Sequence, residues 1–313
     1  MPDDLLHLGV ALDGAGWHPA AWRESGARPR ELFTPRYWSD LVGRAEAGLL
    51  DLVTIEDALR LQPDDPDDPD GPGVRPDRVR GRLDAVQIAA RVAPLTRHVG
   101  LVPTAVVTHT EPFHLSKAIA TLDYVSGGRA GVRVQVDPSA ATAGHVGRRD
   151  PAALALVDDL LEEAADYVEV LRRLWDSWED DAEIRDVATG RFIDRERLHY
   201  IDFEGREFSV KGPSITPRPP QGQPIVAALA HTEPVFRLAE QAVDLAFVTP
   251  RDTSGAAQAA ARLRHVPHVW GDLLVVLDDD TATAEARLRR LDEAAGTSHA
   301  SDARVVAGTA ADL

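Results

Sequence analysis

The feature that most constrains this chain is a regular alternation of short apolar segments with amphipathic ones. Apolar runs of strand length occupy residues 6–12, 51–55, 99–104, 130–136, 224–229, 245–249 and 273–277. Apolar residues recur at helical spacing in segments 35–49, 82–93, 112–125, 152–178, 234–242, 255–263 and 283–295. Nearly continuous apolar strands that alternate with helices predict a parallel sheet covered by helices.

Seven or eight β–α units in 313 residues favour one α/β fold in particular, a TIM (β/α)₈ barrel formed as a single domain over residues 1–313. The competing doubly wound sheet carries a G-x-G-x-x-G turn between a strand and a helix. Gly14-Ala15-Gly16 is the nearest match, and no helical pattern follows it at the right place. We therefore expect a barrel whose active site lies at the carboxyl ends of the strands.

Composition excludes several classes of function. With 34 basic against 51 acidic residues, the net charge of −17 disfavours nucleic acid and anionic membranes as partners. The absence of cysteine excludes disulfides, cysteine-ligated metals and thiol nucleophiles. The first residues lack a secretory pattern, and no apolar run reaches the ~18 residues of a membrane helix, so we expect a cytoplasmic protein.

Two stretches interrupt the alternation. Residues 62–77 are rich in proline and aspartate and predict an exposed loop after the second strand. Residues 179–223 are too long for a simple connection and predict an inserted segment between the fourth helix and the fifth strand, with a small hairpin about Gly205.

Polar residues at the ends of the predicted strands are the candidates for chemistry. His18 follows strand one and is equally consistent with a loop histidine, and Asp57 after strand two is equally consistent with a turn cap. Arg133 and Gln135 share one face of strand four, where an inward arginine requires a partner. Thr232 either caps the next helix or helps to seat a phosphate at its N-terminus. No histidine and carboxylate spacing predicts a metal site.

Four blocks of the sequence resemble one known family. They are LGVALDGAGWHPAAWR at 8–23, FTPRYWSDLVGRAEAGLLDLVTIEDAL at 33–59, HVGLVPTAVVTHTEPFHLSKAIATLDYVSGGRAGVRVQV at 98–136, and LWDSWEDDA followed by GRFIDRERLHYIDFEGREFSVKGPSITPRPPQGQPIV within 174–226. In this order they resemble the bacterial luciferase-like flavin-dependent monooxygenases. The resemblance is greatest to the branch with nitrilotriacetate, long-chain alkane and dibenzothiophene-sulfone monooxygenases.

This resemblance implies a TIM barrel that takes reduced FMN from a separate NAD(P)H-dependent flavin reductase and uses O₂ to oxygenate a small organic substrate. It also implies a homo-oligomer. His18 matches the family's active-site histidine, Asp57 its flavin-contacting acid and Thr104 its hydroxyl residue at the end of strand three. Thr232 matches the hydroxyl residue that binds the FMN phosphate.

The sequence departs from the family pattern at four places. Arg133 stands where the family often has an asparagine that contacts the flavin, and can stabilise an anionic reduced flavin or a substrate acid. Val157 and Leu161 replace a histidine and a tyrosine that contact the phosphate, for which His145, Arg148 and Arg149 are candidate substitutes. The family's eighth strand is not found before residue 313.

These departures keep two other functions open. One is a catalytically weak or silent flavin-binding relative that acts in binding or assembly. The other is a deazaflavin-dependent oxidoreductase that transfers hydride instead of oxygen.

Overall fold

The computed structural model describes residues 6–62, 75–147, 149–150 and 157–313. Its strands are β1 (Gly9–Leu12), β2 (Leu52–Ile55), β3 (Gly100–Val106), β4 (Gly131–Gln135), β5 (Glu183–Asp186), β6 (Arg191–Ile193), β7 (Phe203–Glu204), β8 (Ser209–Val210), β9 (Ile225–Leu229), β10 (Leu245–Val248), β11 (His268–Gly271), β12 (Leu273–Leu277) and β13 (Arg304–Gly308). Its helices are α1 (Pro35–Ala47), α2 (Ala85–Val92), α3 (Pro112–Ser126), α4 (Ala140–Val146), α5 (Val157–Trp175), α6 (Glu233–Ala242), α7 (Thr253–Arg262) and α8 (Thr281–Ala295).

Seven strands form one parallel sheet in the order β1-β2-β3-β4-β9-β10-β11. The sheet curls until its two edges approach each other, since the ring of Trp270 on β11 stacks on His7 beside β1 with centroids 6.3 Å apart. This confirms the predicted α/β class with a parallel sheet. Across the described ranges no backbone pairing joins β1 to β11, and the absence of an eighth strand stays a prediction.

The prediction for the seventh strand of the sheet was wrong. That place belongs to β11, whereas the apolar run at β12 pairs with β13 in a separate two-stranded parallel sheet. The chain leaves the main sheet at Asp272, whose N–H donates to the Val248 carbonyl at 2.7 Å. The apolar run at 273–277 reads as a buried strand of the main sheet, but β12 is only partly buried. Leu273 and Val275 are each more than 40% exposed.

Side chains of the sheet alternate between two apolar clusters. The inner cluster fills the concave side of the curl and comprises Leu52, Val102, Ala227, Leu245 and Phe247, with Leu229 and Trp270 against it. The outer cluster lies between the sheet and the helices and contains Val53, Leu101, Val132, Tyr167 and Trp175 among others. The polar layer described below stands directly above the inner cluster.

The predicted insertion contains two antiparallel strand pairs. One is β5 with β6, and the other is β7 with β8 on either side of Gly205, as the sequence predicts. Treating residues 179–223 as an inserted segment stays a prediction. Most of the predicted loop 62–77 and the first five residues of the predicted helix 152–178 lie outside the described residues. Among the described helices, none combines the length and the hydropathy needed to cross a membrane.

Candidate active site

A layer of buried polar side chains lies on the concave side of β2, β3 and β4. Thr54 and Thr104 lie two residues beyond Leu52 and Val102 of the inner cluster, and Thr104 is the register partner of Arg133. Strand alternation therefore places Thr54, Thr104, Arg133 and Gln135 on the same face. We call these four residues the polar layer.

Each member of the polar layer holds a buried polar atom that has no hydrogen-bond partner among the described residues. The atoms are Thr54 Oγ1, Thr104 Oγ1, Arg133 Nε and Gln135 Oε1. Buried polar atoms are nearly always hydrogen-bonded, because an unpaired one loses its contacts with water and gains nothing in return. Four of them lie on one face at the carboxyl ends of adjacent strands, which makes this face the candidate position for a polar ligand.

Arg133 has a buried partner, as an inward-facing arginine requires. Its Nη1 donates to Glu56 Oε1, and the two side chains are 11% and 8% exposed. Burial raises the pKa of Glu56, and the nearby Arg133 charge opposes that shift. Glu56 follows β2, so this ion pair links two strand ends across the mouth of the curled sheet.

Three more charged residues complete what we call the mouth cluster. Arg82 Nη2 lies 3.1 Å from Asp13 Oδ1, and burial raises the pKa of Asp13. Burial also raises the pKa of Asp272 to about 6, and it lies within the electrostatic influence of both Arg133 and Glu56. Sequence reasoning missed Asp272 because it placed the barrel strand after this residue instead of before it. The mouth cluster consists of Asp13, Glu56, Arg82, Arg133 and Asp272, and has three acids and two bases.

Asp57 makes the contacts of a turn cap. Its Oδ1 accepts from the Ala58 N–H at 2.7 Å and its Oδ2 from the Ala85 N–H at 2.9 Å, so the carboxylate links the end of β2 to the start of α2. Burial raises its pKa, and the two backbone hydrogen bonds oppose that shift. The assignment of Asp57 to flavin contact stays a prediction.

His18 is buried against α8, and its hydrogen bonds do not run to the mouth cluster. Its Nδ1 accepts from the Ala20 N–H at 3.1 Å, which leaves Nε2 to donate to Asp292 Oδ1 at 3.1 Å. The same Asp292 oxygen accepts from the His299 N–H at 2.8 Å, and the two imidazole rings lie 4.9 Å apart. Burial, followed by the neighbouring His18, lowers the pKa of His299. Sequence reasoning did not identify Asp292 or His299, since both lie about 280 residues beyond His18 along the chain.

Thr232 occupies the N-cap position of α6, but its hydroxyl makes no capping hydrogen bond. An exposed hydroxyl at a helix start can help to hold an anion. At α6 the first turn offers fewer donors than usual, because Pro234 has no N–H, and the Glu233 carboxylate is offset by Arg262 at 2.7 Å. Beside it, the ends of β9 and β10 border a cleft of about 570 Å³ whose lining includes His231, Phe236 and Arg251.

The predicted substitutes for phosphate contact are only partly available for that role. Arg149 Nη2 lies 2.5 Å from Glu163 and 3.2 Å from Glu207, so two carboxylates neutralise its charge. His145 Nδ1 lies 3.3 Å from the Leu59 carbonyl. Val157 is about half exposed and Leu161 is buried. Arg148 lies outside the described residues, and a role for it and Arg149 stays a hypothesis.

In the described ranges no three histidine, aspartate or glutamate side chains are arranged to hold a metal ion.

Comparison with known proteins identifies the family of this chain. The model of the luciferase-like monooxygenases matches residues 16–311. The chain belongs to this family.

Two sequence relatives and one solved structure are similar to this chain. The N-acetyl-S-(2-succino)cysteine monooxygenase of Bacillus subtilis is 29% identical over 92% of this chain and 65% of its own length. Component A of the nitrilotriacetate monooxygenase of Aminobacter aminovorans is 32% identical over 77% of this chain and 53% of its own. The structure of a riboflavin lyase with a modified FMN and riboflavin superposes with a TM-score of 0.81 at 24% identity, over 92% of this chain and 66% of that one. The chain thus spans about half to two thirds of the length of these relatives.

Proposed function

We propose that this protein is an FMN-dependent monooxygenase of the two-component type. The observation that carries the proposal is the polar layer, whose four buried atoms have no hydrogen-bond partner among the described residues and lie together at the mouth of the curled sheet. Membership of the luciferase-like monooxygenases makes a flavin the natural ligand, and a related riboflavin lyase has been solved with a modified FMN.

The residues at the mouth fit the chemical character of FMN. One edge of the isoalloxazine ring system carries alternating donors and acceptors, which match the hydroxyl, guanidinium and amide groups of the polar layer. The rest of the ring system is apolar and matches Leu229 and Trp270, which pack against the inner cluster and are only partly buried. The free hydroxyl of Thr232 and the start of α6 provide a seat for the phosphate.

When bound, reduced FMN supplies the electrons that activate O₂, so that one oxygen atom enters the substrate and the other leaves as water. The chain's own residues position the ring through Thr104 and Arg133 and hold the phosphate through Thr232. Asp57 contributes to the flavin site by fixing the end of β2 against α2.

His18 is the proposed group for moving a proton near the flavin. Its Nδ1 is fixed by the Ala20 N–H and its Nε2 by Asp292, which sets both the tautomer and the orientation of the ring. Both ring nitrogens are engaged inside the protein, so this role requires Nε2 to exchange its hydrogen bond to Asp292 for one to a bound group. A separate NAD(P)H-dependent flavin reductase is the proposed source of reduced FMN, and a small organic molecule is the proposed substrate.

Direct binding measurements test this function. We expect the purified protein to bind reduced FMN under anaerobic conditions, and to consume O₂ with product formation when NADH and a flavin reductase are supplied. The same titration with a deazaflavin tests the hydride-transfer alternative. Binding of neither cofactor would contradict both enzymatic functions.

One observation favours a second candidate, a flavin-binding relative with little activity. Val157 and Leu161 offer no polar contact, and Glu163 and Glu207 already neutralise Arg149, so the phosphate loses contacts that the family resemblance implies. This candidate predicts weak FMN binding without O₂ consumption in the reductase-coupled assay.

A further inference from the structure

Arg133 uses only part of its hydrogen-bonding capacity inside the protein. Nη1 donates to Glu56, whereas Nε is buried without a partner and Nη2 makes no hydrogen bond to any residue that the structure describes. The Nε and Nη2 donors form one straight edge of the planar guanidinium, and this edge matches two adjacent acceptor atoms of a ligand. Glu56 thus holds the guanidinium from one side and leaves its two-donor edge without an acceptor among the described residues.

The surroundings of this free edge indicate what kind of group it binds. Thr104 stands opposite Arg133 on β3, and Gln135 lies two residues further on β4, each with an unpartnered oxygen. A carboxylate has only acceptors, so it can bond to Gln135 only through the amide NH2 group. A heterocyclic edge that alternates carbonyl oxygens, ring nitrogens and an N–H offers both donors and acceptors, and satisfies Arg133 and Gln135 together in either orientation of the amide.

The charge of Arg133 further narrows the kind of ligand that fits this edge. A guanidinium stays protonated in proteins, and a hydrogen bond to it is strongest when the acceptor is an anion in a buried site. Reduced flavin becomes such an anion by losing the proton at N1, which spreads negative charge over N1 and the adjacent carbonyl oxygen at C2. These two neighbouring acceptors match the two-donor edge of Arg133.

We propose that Arg133 binds the reduced flavin as its N1 anion through the Nε–Nη2 edge, and that Glu56 acts as the positioning residue for the guanidinium. This inference rests on the proposed function. The proton lost from N1 leaves to the solvent when neutral reduced FMN binds, and no other co-reactant is needed. The other charged groups that face this position are Asp13 after β1, Arg82 before α2 and Asp272 after β11.

The ionisation of bound reduced FMN tests the inference without any turnover. Anaerobic absorbance spectra of the bound flavin across the neutral pH range distinguish the anion from the neutral form. Calorimetry in buffers of different ionisation enthalpy counts the protons released on binding. Wild type is compared with two variants. Arg133→Lys keeps the positive charge but loses the two-donor edge of the guanidinium, and the double variant Arg133→Met/Glu56→Gln removes both charges of the ion pair. Arg173→Met is the control, because Arg173 pairs with Glu169 at 2.6 Å on an exposed helix surface.

We expect wild type to bind the anion and to release a proton on binding. In the double variant the N1 pKa of bound reduced FMN should rise by about one unit or more, a tenfold change in the preference for the anion. Arg133→Lys should fall between the two, Arg173→Met should match wild type, and binding of oxidised FMN should change less than binding of the reduced form.

Two results would overturn the inference, and they are distinguishable. Tight binding of reduced FMN with the same N1 ionisation in wild type and the double variant contradicts the role of Arg133 and leaves the proposed function intact. Failure of folded wild type to bind either oxidised or reduced FMN contradicts the proposed function, and the inference with it.

Discussion

The two halves of the curled sheet differ sharply on their concave face. On β2 to β4 the upper positions carry the polar layer and the ion pair of Arg133 with Glu56, whereas β9 to β11 present Ala227, Leu229, Leu245, Phe247 and Trp270. The side chains of the apolar half pack against one another, with Leu229 and Trp270 only partly buried, whereas the polar half leaves four buried atoms without partners among the described residues. We therefore expect substitutions in the apolar half to change stability, and substitutions in the polar half to change ligand binding and, at the ion pair, stability as well.

The largest expected effect comes from breaking the buried ion pair of the polar half. Arg133→Met leaves the Glu56 carboxylate buried without its cation, and we expect the free energy of unfolding to fall by about 3–5 kcal/mol. Urea unfolding near neutral pH measures the change. The double variant Arg133→Met/Glu56→Gln should recover most of the loss, and equal stability of the single and double variants would show that the pair is not buried as described.

The apolar half provides the next largest effect. Phe247 is 6% exposed within the inner cluster, and Phe247→Ala should lower the free energy of unfolding by about 3 kcal/mol through lost burial and a cavity.

The polar half offers the opposite case to Phe247→Ala. Thr104→Val removes an unpartnered hydroxyl and should leave stability equal or slightly higher while weakening FMN binding. Both are measured by urea unfolding and FMN titration. A Thr104→Val variant that loses stability would mean that this hydroxyl has a partner inside the protein.

Asp272 gives a pH-dependent test of the mouth cluster. Its pKa is raised to about 6, above that of an unfolded aspartate, so between about pH 4 and 6 the folded state binds more protons than the unfolded state. The contribution of Asp272 to stability therefore falls as the pH rises through this window and stays low above it. Asp272→Asn should be more stable than wild type by about 1–2 kcal/mol near neutral pH.

Unfolding curves of both proteins measured at several pH values check this prediction. The advantage of Asp272→Asn should shrink toward zero below about pH 4, where wild-type Asp272 is protonated in both states. The comparison is made as a difference between the two proteins because Asp13, Glu56 and Asp57 also have raised pKa values. A difference that does not vary with pH would contradict the burial of Asp272.

Local sequence signals predict much of the fold and less of the site. Buried runs such as β2 and β10 read directly as strands, and Thr34 before Pro35 reads as the start of α1, where its hydroxyl accepts from the Tyr37 N–H. Polar residues at strand ends likewise select Arg133 and Thr104, which lie side by side in the polar layer, although their role in binding stays a prediction. These signals succeed because they depend on neighbours within one turn or one strand.

The partners of these residues depend instead on how the sheet curls. Asp13 and Arg82 are 69 residues apart in the sequence, and His18 and Asp292 are 274 apart, so no local pattern pairs them. Asp272 was missed for a related reason, since the short β11 has weaker apolar character than the neighbouring β12, although β11 is the strand that joins the sheet. The sequence shows the chemical type of each of these residues. It does not show which residues become neighbours, because that depends on how the sheet curls.

The smallest expected effect separates binding from stability at a single helix start. Thr232→Val removes a hydroxyl that makes no capping hydrogen bond, so the free energy of unfolding should change by less than about 0.5 kcal/mol. If that hydroxyl holds the phosphate, FMN should bind about three- to tenfold more weakly while riboflavin, which lacks the phosphate, binds as before. Thr34→Val is the matched control, because its hydroxyl does cap α1 and its loss should cost about 1 kcal/mol of stability without changing flavin binding. Equal weakening of FMN and riboflavin by Thr232→Val would place this residue near the ring system instead of the phosphate. The polar surface that binds the ring would then extend to the end of β9.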